Sequence, residues 1–383
     1  MYVVVRVKLE PSAEDAAALG ATLHAVNKAA NEVSRTAFAH GVKREYALRK
    51  LTYAGLKERG LGAQAAQHVI KKVCGAYAVL AGQIRSGFLR GERRRRAESK
   101  PIAFRPDAAH PFDDRCLSWQ LHAWTVSIWT VHGRKRGIRF SCSGGDLEML
   151  FAHRKGETDL VFRDGMWFLM ATCEVPAPPV AEPNGFIGVD LGIANIATTS
   201  DGARHVGRGL NRHRRRQAAL RAKLQAKRTR SARRLLRKRR RREARHARNI
   251  NHRISKQVVA EAERTGRGIA LEDLSGIRDR ERSHRSQRAI LHSWSFHQLA
   301  EFLEYKARRA GVALVRVNPA YTSRTCADCG HRERTNRVSQ ARFVCRSCGV
   351  VAHADLNASR NIARLGEAAW NAGRESRVPA ASP

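Results

Sequence analysis

The sequence predicts an α+β chain of several domains: a β module interrupted by a helical bundle, then an α/β sheet domain holding an inserted four-cysteine module. Three observations carry that expectation. Hydrophobic periodicity runs from strand to helix and back to strand before a proline-rich stretch. The second half opens with short strands separated by tight turns, and Cys326, Cys329, Cys345 and Cys348 are closely paired near its end. With 383 residues and 43% hydrophobic content, the chain has length for two or three domains with real cores.

Residues 2 to 9 alternate like a strand, and Ser12 with Asp15 forms a capping signal that opens a helix. Apolar stripes at Leu19, Leu23, Val26, Ala30 and Val33, and at Val69, Val73, Tyr77, Leu80 and Ile84, predict a helical bundle over 13–98. The run Arg93 to Arg96 near its end is either a solvated linker or a phosphate contact. From Phe104 to Val175 short β-like runs return, with Arg163-Asp164-Gly165 marking a hairpin. This β module joins the first strand, so the bundle is an insertion. Pro176, Pro178, Pro179 and Pro183 mark a linker.

Residues 186 to 206 then read as strand, turn at Gly192, strand, turn at Asp201-Gly202 and strand, the opening hairpin of an RNase H-like sheet. A basic helix is expected over 208–265: between Arg208 and Arg248, 20 of 41 residues are Lys or Arg, and Glu243 is the one acid. Its apolar anchors are sparse, chiefly Leu220, Leu224, Leu235 and Leu236, so it crosses solvent, lies on a polyanion, or is a disordered arm without one. A strand at 266–274, a polar mobile loop from Arg278 to His292, a helix from Trp294 to Arg309 and a strand from Val312 to Val317 follow. Residues 367–383 are expected to be a frayed, disordered tail.

Lys plus Arg number 72 against 34 acids, a net charge of +38, and the pI is near 11.3. Such a surplus calls for nucleic acid across much of the surface. Candidate phosphate contacts are Arg214, Arg215, Arg233, Arg234, Arg237, Arg240 and Arg241. No apolar run is long enough to span a bilayer, and the alternating start does not resemble a signal peptide, so a cytoplasmic protein is expected.

Cys326-x2-Cys329 and Cys345-x2-Cys348 have four-cysteine ribbon spacing, and Gly330 and Gly349 follow each pair where a knuckle turn needs positive φ. Four thiolates leave a zinc ion no open position, so its role is structural. Cys74, Cys116, Cys142 and Cys173 are scattered and read as reduced core residues.

Three acids stand in apolar frames: Asp190 in Ile187-Gly188-Val189-Asp190-Leu191-Gly192, Glu272 in Ile269-Ala270-Leu271-Glu272-Asp273-Leu274, and Asp355 in His353-Ala354-Asp355-Leu356-Asn357. Acids at the ends of buried strands are destabilising by several kcal/mol, on the order expected for unpaired charge, unless a cation shares the site. Their order is typical of a metal-dependent nuclease. Two Mg²⁺ or Mn²⁺ ions roughly 4 Å apart can activate water and stabilise the leaving 3′ oxygen of a phosphodiester. The alternative is three surface acids beside arginines.

With those residues in place, the chain resembles the TnpB family, transposon-encoded RNA-guided DNA endonucleases ancestral to type V CRISPR effectors. The likeness runs from Gly185 to about Leu365. It rests on Ile187 to Ile193, Asn251-His252-Arg253-Ile254-Ser255, Leu271-Glu272-Asp273-Leu274, Tyr305-Lys306-Ala307 with Gly311, Tyr321 to Cys326, the other three cysteines, and Asp355-Leu356-Asn357-Ala358 with Asn361-Ile362. The resemblance implies a RuvC-like nuclease domain at 184–318 and 351–366 whose catalytic magnesium ligands are Asp190, Glu272 and Asp355, with a zinc ribbon at 319–350. It also implies a β-barrel wedge domain at 1–12 and 99–183 and a helical recognition domain at 13–98. Where a common family form has Asp-Arg-Asp, this chain has His353-Ala354-Asp355; Asp355 is taken as the ligand, and His353 lines the site or packs.

Implied partners are a guide RNA from the transposon end and double-stranded target DNA, with one chain or two per RNA. Base pairing would then read the target while the protein holds phosphates. A nuclease-inactive RNA-guided repressor is a second reading, against which the three retained acids argue, and a compact type V CRISPR effector is a third. A plain zinc-ribbon nucleic-acid binder would leave the framed acids unexplained. A direct transposase would need a tyrosine nucleophile with a His-hydrophobe-His site, which the sequence does not offer.

Overall fold

The computed structural model describes residues 1–273 and 296–375, so the expected loop from Arg278 to His292 lies outside the described residues. The chain divides into two compact units, Met1–Pro176 and Ala177–Pro383.

In the first unit, strand β1 (Tyr2–Glu10) leads into four helices: α1 (Ala13–Ala39), α2 (Glu45–Glu58), α3 (Ala63–Arg85) and α4 (Gly91–Glu98). Ser12 caps α1, its Oγ accepting from the Asp15 amide at 3.1 Å. Leu19, Leu23, Val26, Ala30 and Val33 of the first stripe are all buried. The chain then forms β2 (His110–Phe112), β3 (Leu117–Gln120), β4 (Thr125–Thr130), β5 (Gly133–Ser141), α5 (Gly144–His153), β6 (Arg154–Arg163) and β7 (Met166–Glu174). The sheet order is β2-β6-β7-β1-β5-β4-β3, with β1 antiparallel to β5 and β7, so the helices are indeed inserted after the first strand of a β module. Val7, Phe112, Leu117, Ile128, Phe140 and Leu169 meet in one core, the inner lining of a near-barrel. The β6–β7 turn has positive φ at Asp164 and Gly165, the mirror-type turn their residue types favour.

In the second unit, β8 (Phe186–Asp190), β9 (Asn195–Thr199) and β10 (Arg204–Val206) form the expected antiparallel hairpins. Strands β11 (Gly268–Glu272) and β12 (Leu314–Val317) add in parallel, giving the order β10-β9-β8-β11-β12. One face is covered by α7 (Arg230–Arg264) and α8 (Phe296–Ala310): Ile187 and Val189 pack with Ile254, Val258, Leu299 and Leu303. The other face meets α9 (Ala354–Glu375), where Phe186 and Ala270 pack with Ile362. Among the described residues no helix is long and apolar enough to cross a membrane.

Three expectations are corrected. The basic segment is two helices rather than one: α6 (Arg208–Ala226) ends at Lys227, Arg228 takes a positive φ, and Thr229 caps α7 by accepting from the Ala232 amide at 3.2 Å. The expected tail at 367–383 is helical as far as Glu375, because Trp370 packs its ring toward Phe186 and donates Nε1–H to Glu182 at 3.1 Å; residues 376–383 lie outside the described residues. The division between units falls after Pro176 rather than at 183, since Ala181 donates to Gly311 O and Asn184 to Gly266 O of the second unit.

Candidate nuclease centre and metal module

Parallel pairing places Ala270 beside Gly188 and Leu271 beside Val189, so Asp190 and Glu272 finish neighbouring strands at the same sheet end. Side chains alternate along a strand, which puts Asp190 with Phe186 and Gly188, and Glu272 with Ala270, on the face covered by α9. Glycine at 188 permits that cover: a Cβ there would lie 1.9 Å from the Ser359 carbonyl oxygen of α9. Ser359 follows Asp355 by one turn, so the same close approach carries Asp355, in the first turn of α9, toward the strand ends.

The electrostatics record the convergence. Burial pushes the Asp190 carboxyl well above its ordinary range, and the charges of Glu272 and Asp355 push it further, while Arg337 opposes them. Burial also raises Glu272, to about 7, against the Thr322 hydrogen bond and Arg337. Neutral groups from other elements contact the acids. Thr322 Oγ1 donates to Glu272 Oε1 at 3.0 Å, and Asn195 Nδ2 donates to Asp355 Oδ2 at 2.8 Å. Thr198, paired with Asp190 across the hairpin, buries its hydroxyl without a hydrogen-bond partner. A polar, oxygen-lined and partly buried setting in which the Asp190 and Glu272 carboxyls are raised has the chemistry of a hard-cation site.

Among the described residues, only the four cysteines bring three or more ligand atoms within 4.8 Å of one another; the carboxylates stand further apart. The structure also supplies Arg337, Asn195 and Thr322, which sequence reasoning missed. Arg337 is one cation among many, and hydroxyl or amide contacts across the fold leave no local pattern. His353, which the sequence placed at the site or in packing, accepts the Asp355 amide on Nδ1 at 3.3 Å and so helps to close the first turn of α9.

The sulfurs of Cys326 and Cys348 are 3.7 Å apart and those of Cys329 and Cys345 3.5 Å apart, beyond any disulfide bond. Tetrahedral zinc with Zn–S near 2.3 Å spaces its sulfurs by about 3.8 Å, so the set fits that ion. Gly330 and Gly349 have φ of 76° and 74°, as the knuckles require. The Cys348 amide, hydrogen-bonded to Cys345 Sγ at 3.4 Å, is the main cause holding that thiol below its ordinary range. Two short strands, β13 (Arg342–Val344) and β14 (Val351–His353), close the module and lead directly into α9. Of the other cysteines, Cys116 and Cys173 are buried, and Cys74 and Cys142 are half-buried; none is in a disulfide.

The α6–α7 hairpin is tied by an Arg221–Glu243 ion pair at 3.2 Å and by His213 against His246, with ring centroids 4.6 Å apart. Arg215, Arg233, Arg234, Arg237, Arg240 and Arg241 are exposed, and Arg214 is half-buried, its pKa lowered by that burial. Arg233, Arg237 and Arg240 line a groove with Gln217 and Arg221 of α6.

Comparison with known proteins agrees with this layout. Residues 170–274 match the family model OrfB_IS605, described as a probable transposase, and residues 296–362 match the Cas12f1-like TNB domain. The chain is 42% identical over 114 residues to the CRISPR-associated endodeoxyribonuclease Cas12f1 of Sulfoacidibacillus thermotolerans, covering 30% of this chain and 26% of that protein. It is 30% identical over 225 residues to the putative RNA-guided DNA endonuclease InsQ of Escherichia coli K12, covering 53% and 55%. A TnpB-like protein of Methanocaldococcus jannaschii is 33% identical over 129 residues, 33% of this chain and 46% of that one. These alignments span about half or less of each relative. The fold is similar to Cas12f1 in its cryo-EM complex with sgRNA and target DNA, with a TM-score of 0.57 at 14% identity, over 90% of this chain and 82% of that one.

Proposed function

We propose that this chain, similar to TnpB-like proteins, is a cytoplasmic RNA-guided DNA endonuclease whose metal-dependent RuvC-like centre is Asp190, Glu272 and Asp355. The observation that carries the reading is the joint field at Asp190, to which Glu272 and Asp355 contribute from segments far apart in sequence. A carboxyl held above its ordinary pKa first by burial and then by two neighbouring carboxylates is a place where positive charge is missing. Divalent ions bound there would activate water and stabilise the leaving oxygen of a phosphodiester.

The residues' own parts follow from their positions. Asp190, Glu272 and Asp355 would hold Mg²⁺ or Mn²⁺, while the four thiolates keep zinc apart, since soft and hard donors do not compete. Arg337, close enough to bias two of the acids, would draw the scissile phosphate toward them. Arg233, Arg237 and Arg240, along the hairpin groove, would hold backbone phosphates of guide RNA or target DNA. The first unit would act as wedge and recognition domain, reading a short motif beside the target.

The test is cleavage of a matched target by the RNA-bound chain. Asp190→Ala should reduce cutting by about 10²–10³-fold or more while RNA binding persists; unchanged cutting would refute the active site. Absence of cutting by the unaltered chain with intact RNA and DNA binding would favour a guided repressor. Likeness to Cas12f1 raises a second source for the guide, and sequencing RNA that copurifies separates a transposon end from a CRISPR array.

A further inference from the structure

We propose that Thr322 is the positioning residue for Glu272, so that the zinc ribbon, through this hydroxyl, sets the geometry of the acidic centre. The inference rests on the reading of Glu272 as a metal ligand. Glutamate has three side-chain torsions, and its backbone restrains the first far more than the broad terminal one, which a partner must fix. The hydroxyl of Thr322, a residue 5% exposed, meets Glu272 Oε1 at 3.0 Å and has Pro319 O as its other acceptor at 3.1 Å. One proton serves two acceptors, so the hydroxyl can favour the carboxylate only if its own backbone is fixed.

That backbone is fixed from two sides. Asn361 of α9 donates Nδ2–H to Thr322 O at 2.9 Å and to Thr325 O at 2.7 Å. Asn357, one turn earlier, donates to Thr325 O at 2.7 Å and accepts the Ala327 amide at 2.9 Å. Both amides are buried, and both hold the segment that enters the first cysteine knuckle. On the other side, Cys326 donates its amide to His331 O at 2.9 Å, closing that knuckle. Tyr321, immediately before Thr322, has φ of 67°, a conformation a bulky residue keeps only when its surroundings impose it. The amides of Arg324 and Thr325 do so by donating to Tyr321 O at 2.9 and 3.0 Å. Helix α9 therefore presents Asp355 directly and Glu272 at one remove, with the ribbon as the intermediate part.

The experiment compares Thr322→Val, which removes the donor at nearly constant shape, with Thr322→Ser, which keeps it. In the RNA-bound full chain, Mn²⁺ binding is followed by electron paramagnetic resonance and target cleavage is titrated with Mn²⁺; zinc content and the thermal transition are measured alongside. Thr322→Val should bind Mn²⁺ about 10- to 100-fold more weakly, the range for outer partners of metal ligands, and need correspondingly more for half-maximal cleavage. Zinc content and melting should stay as in the parent, and Thr322→Ser should restore binding. Unchanged Mn²⁺ dependence in Thr322→Val, with cleavage abolished by Glu272→Ala, would overturn the proposal and leave the acidic centre standing. Cleavage that survives Glu272→Ala would instead remove the reading beneath it. Loss of zinc from Thr322→Val would make the residue structural and also overturn the proposal.

Discussion

A missing methyl group decides where the third acid sits. At Gly188 the helix backbone approaches so closely that an added Cβ would overlap Ser359 O and stand 2.5 Å from the Ala363 amide nitrogen. Neither is the end of a flexible side chain, so Gly188→Ala must displace α9. We expect a loss of about 3 kcal/mol, at the upper range of overpacking, measured by denaturant unfolding, together with weaker divalent binding. Glu272 makes a second prediction. Its native pKa near 7 lies above the ordinary 4.5, so between those values the folded protein binds more protons than the unfolded one. Without divalent ions, stability contributed by Glu272 is therefore present below pH 4.5 and is lost as pH rises through about 7. Hydrogen exchange of β8 and β11 amides across that window, with and without Mn²⁺, checks the sign. The framed acids were legible because apolar strands that end on a carboxylate are a local pattern; Thr322 and Arg337 were not, because their meaning arises only when distant segments meet.

At the scale of elements, the two halves of α7 differ. Its C-terminal half buries Ile254, Val258, Val259 and Ala262 against the sheet, whereas in its N-terminal half only Ala232 is buried and the pairing with α6 carries a dense positive charge. Like charges at that density favour bound phosphate. Changing Arg233, Arg237 and Arg240 together to Gln should lower the slope of log affinity against log salt by about 2 to 3, from the counterions no longer released, and a slope that does not move would remove the groove from the interface. The sequence predicted helix here but not the reversal, since Lys227-Arg228-Thr229 contains neither Gly nor Pro; the Thr229 cap was the available sign. The clustering of the four cysteines was readable from their spacing. Stripping zinc with a strong chelator should expose residues 319–350 to proteolysis, whereas removing only divalent magnesium should halt cutting reversibly and leave that segment resistant.

For the whole molecule, the two units should respond to acid in opposite senses. His110 in the first unit is fully buried, and burial, then Lys72 and His68, hold its pKa well below 6.5. Its unfolded form takes up protons first, so the stability it confers is present above pH 6.5 and is lost as pH falls toward the native pKa. Once corrected for the intrinsic pH dependence of amide exchange, protection of β2 and β6 amides should weaken on acidification, while that of β8 and β11 strengthens in metal-free protein; parallel drifts would contradict one of the two assignments. The succession of strand, inserted helices and further strands followed from changes in hydrophobic period, and the hairpins of the second unit from their turn residues. The extent of α9 did not, because the partners of Trp370, Glu182 and Phe186, lie in a distant segment of the chain.

The position of Asp355 on the last described helix has a consequence during synthesis. At ordinary translation speeds of about 5–20 residues per second, the interval between the emergence of the first and third acids is on the order of ten seconds or more. A nascent chain in that interval already displays its cationic hairpin to any nearby transcript yet lacks the final carboxylate. Under the proposed function, capture of RNA would therefore precede the capacity to cut.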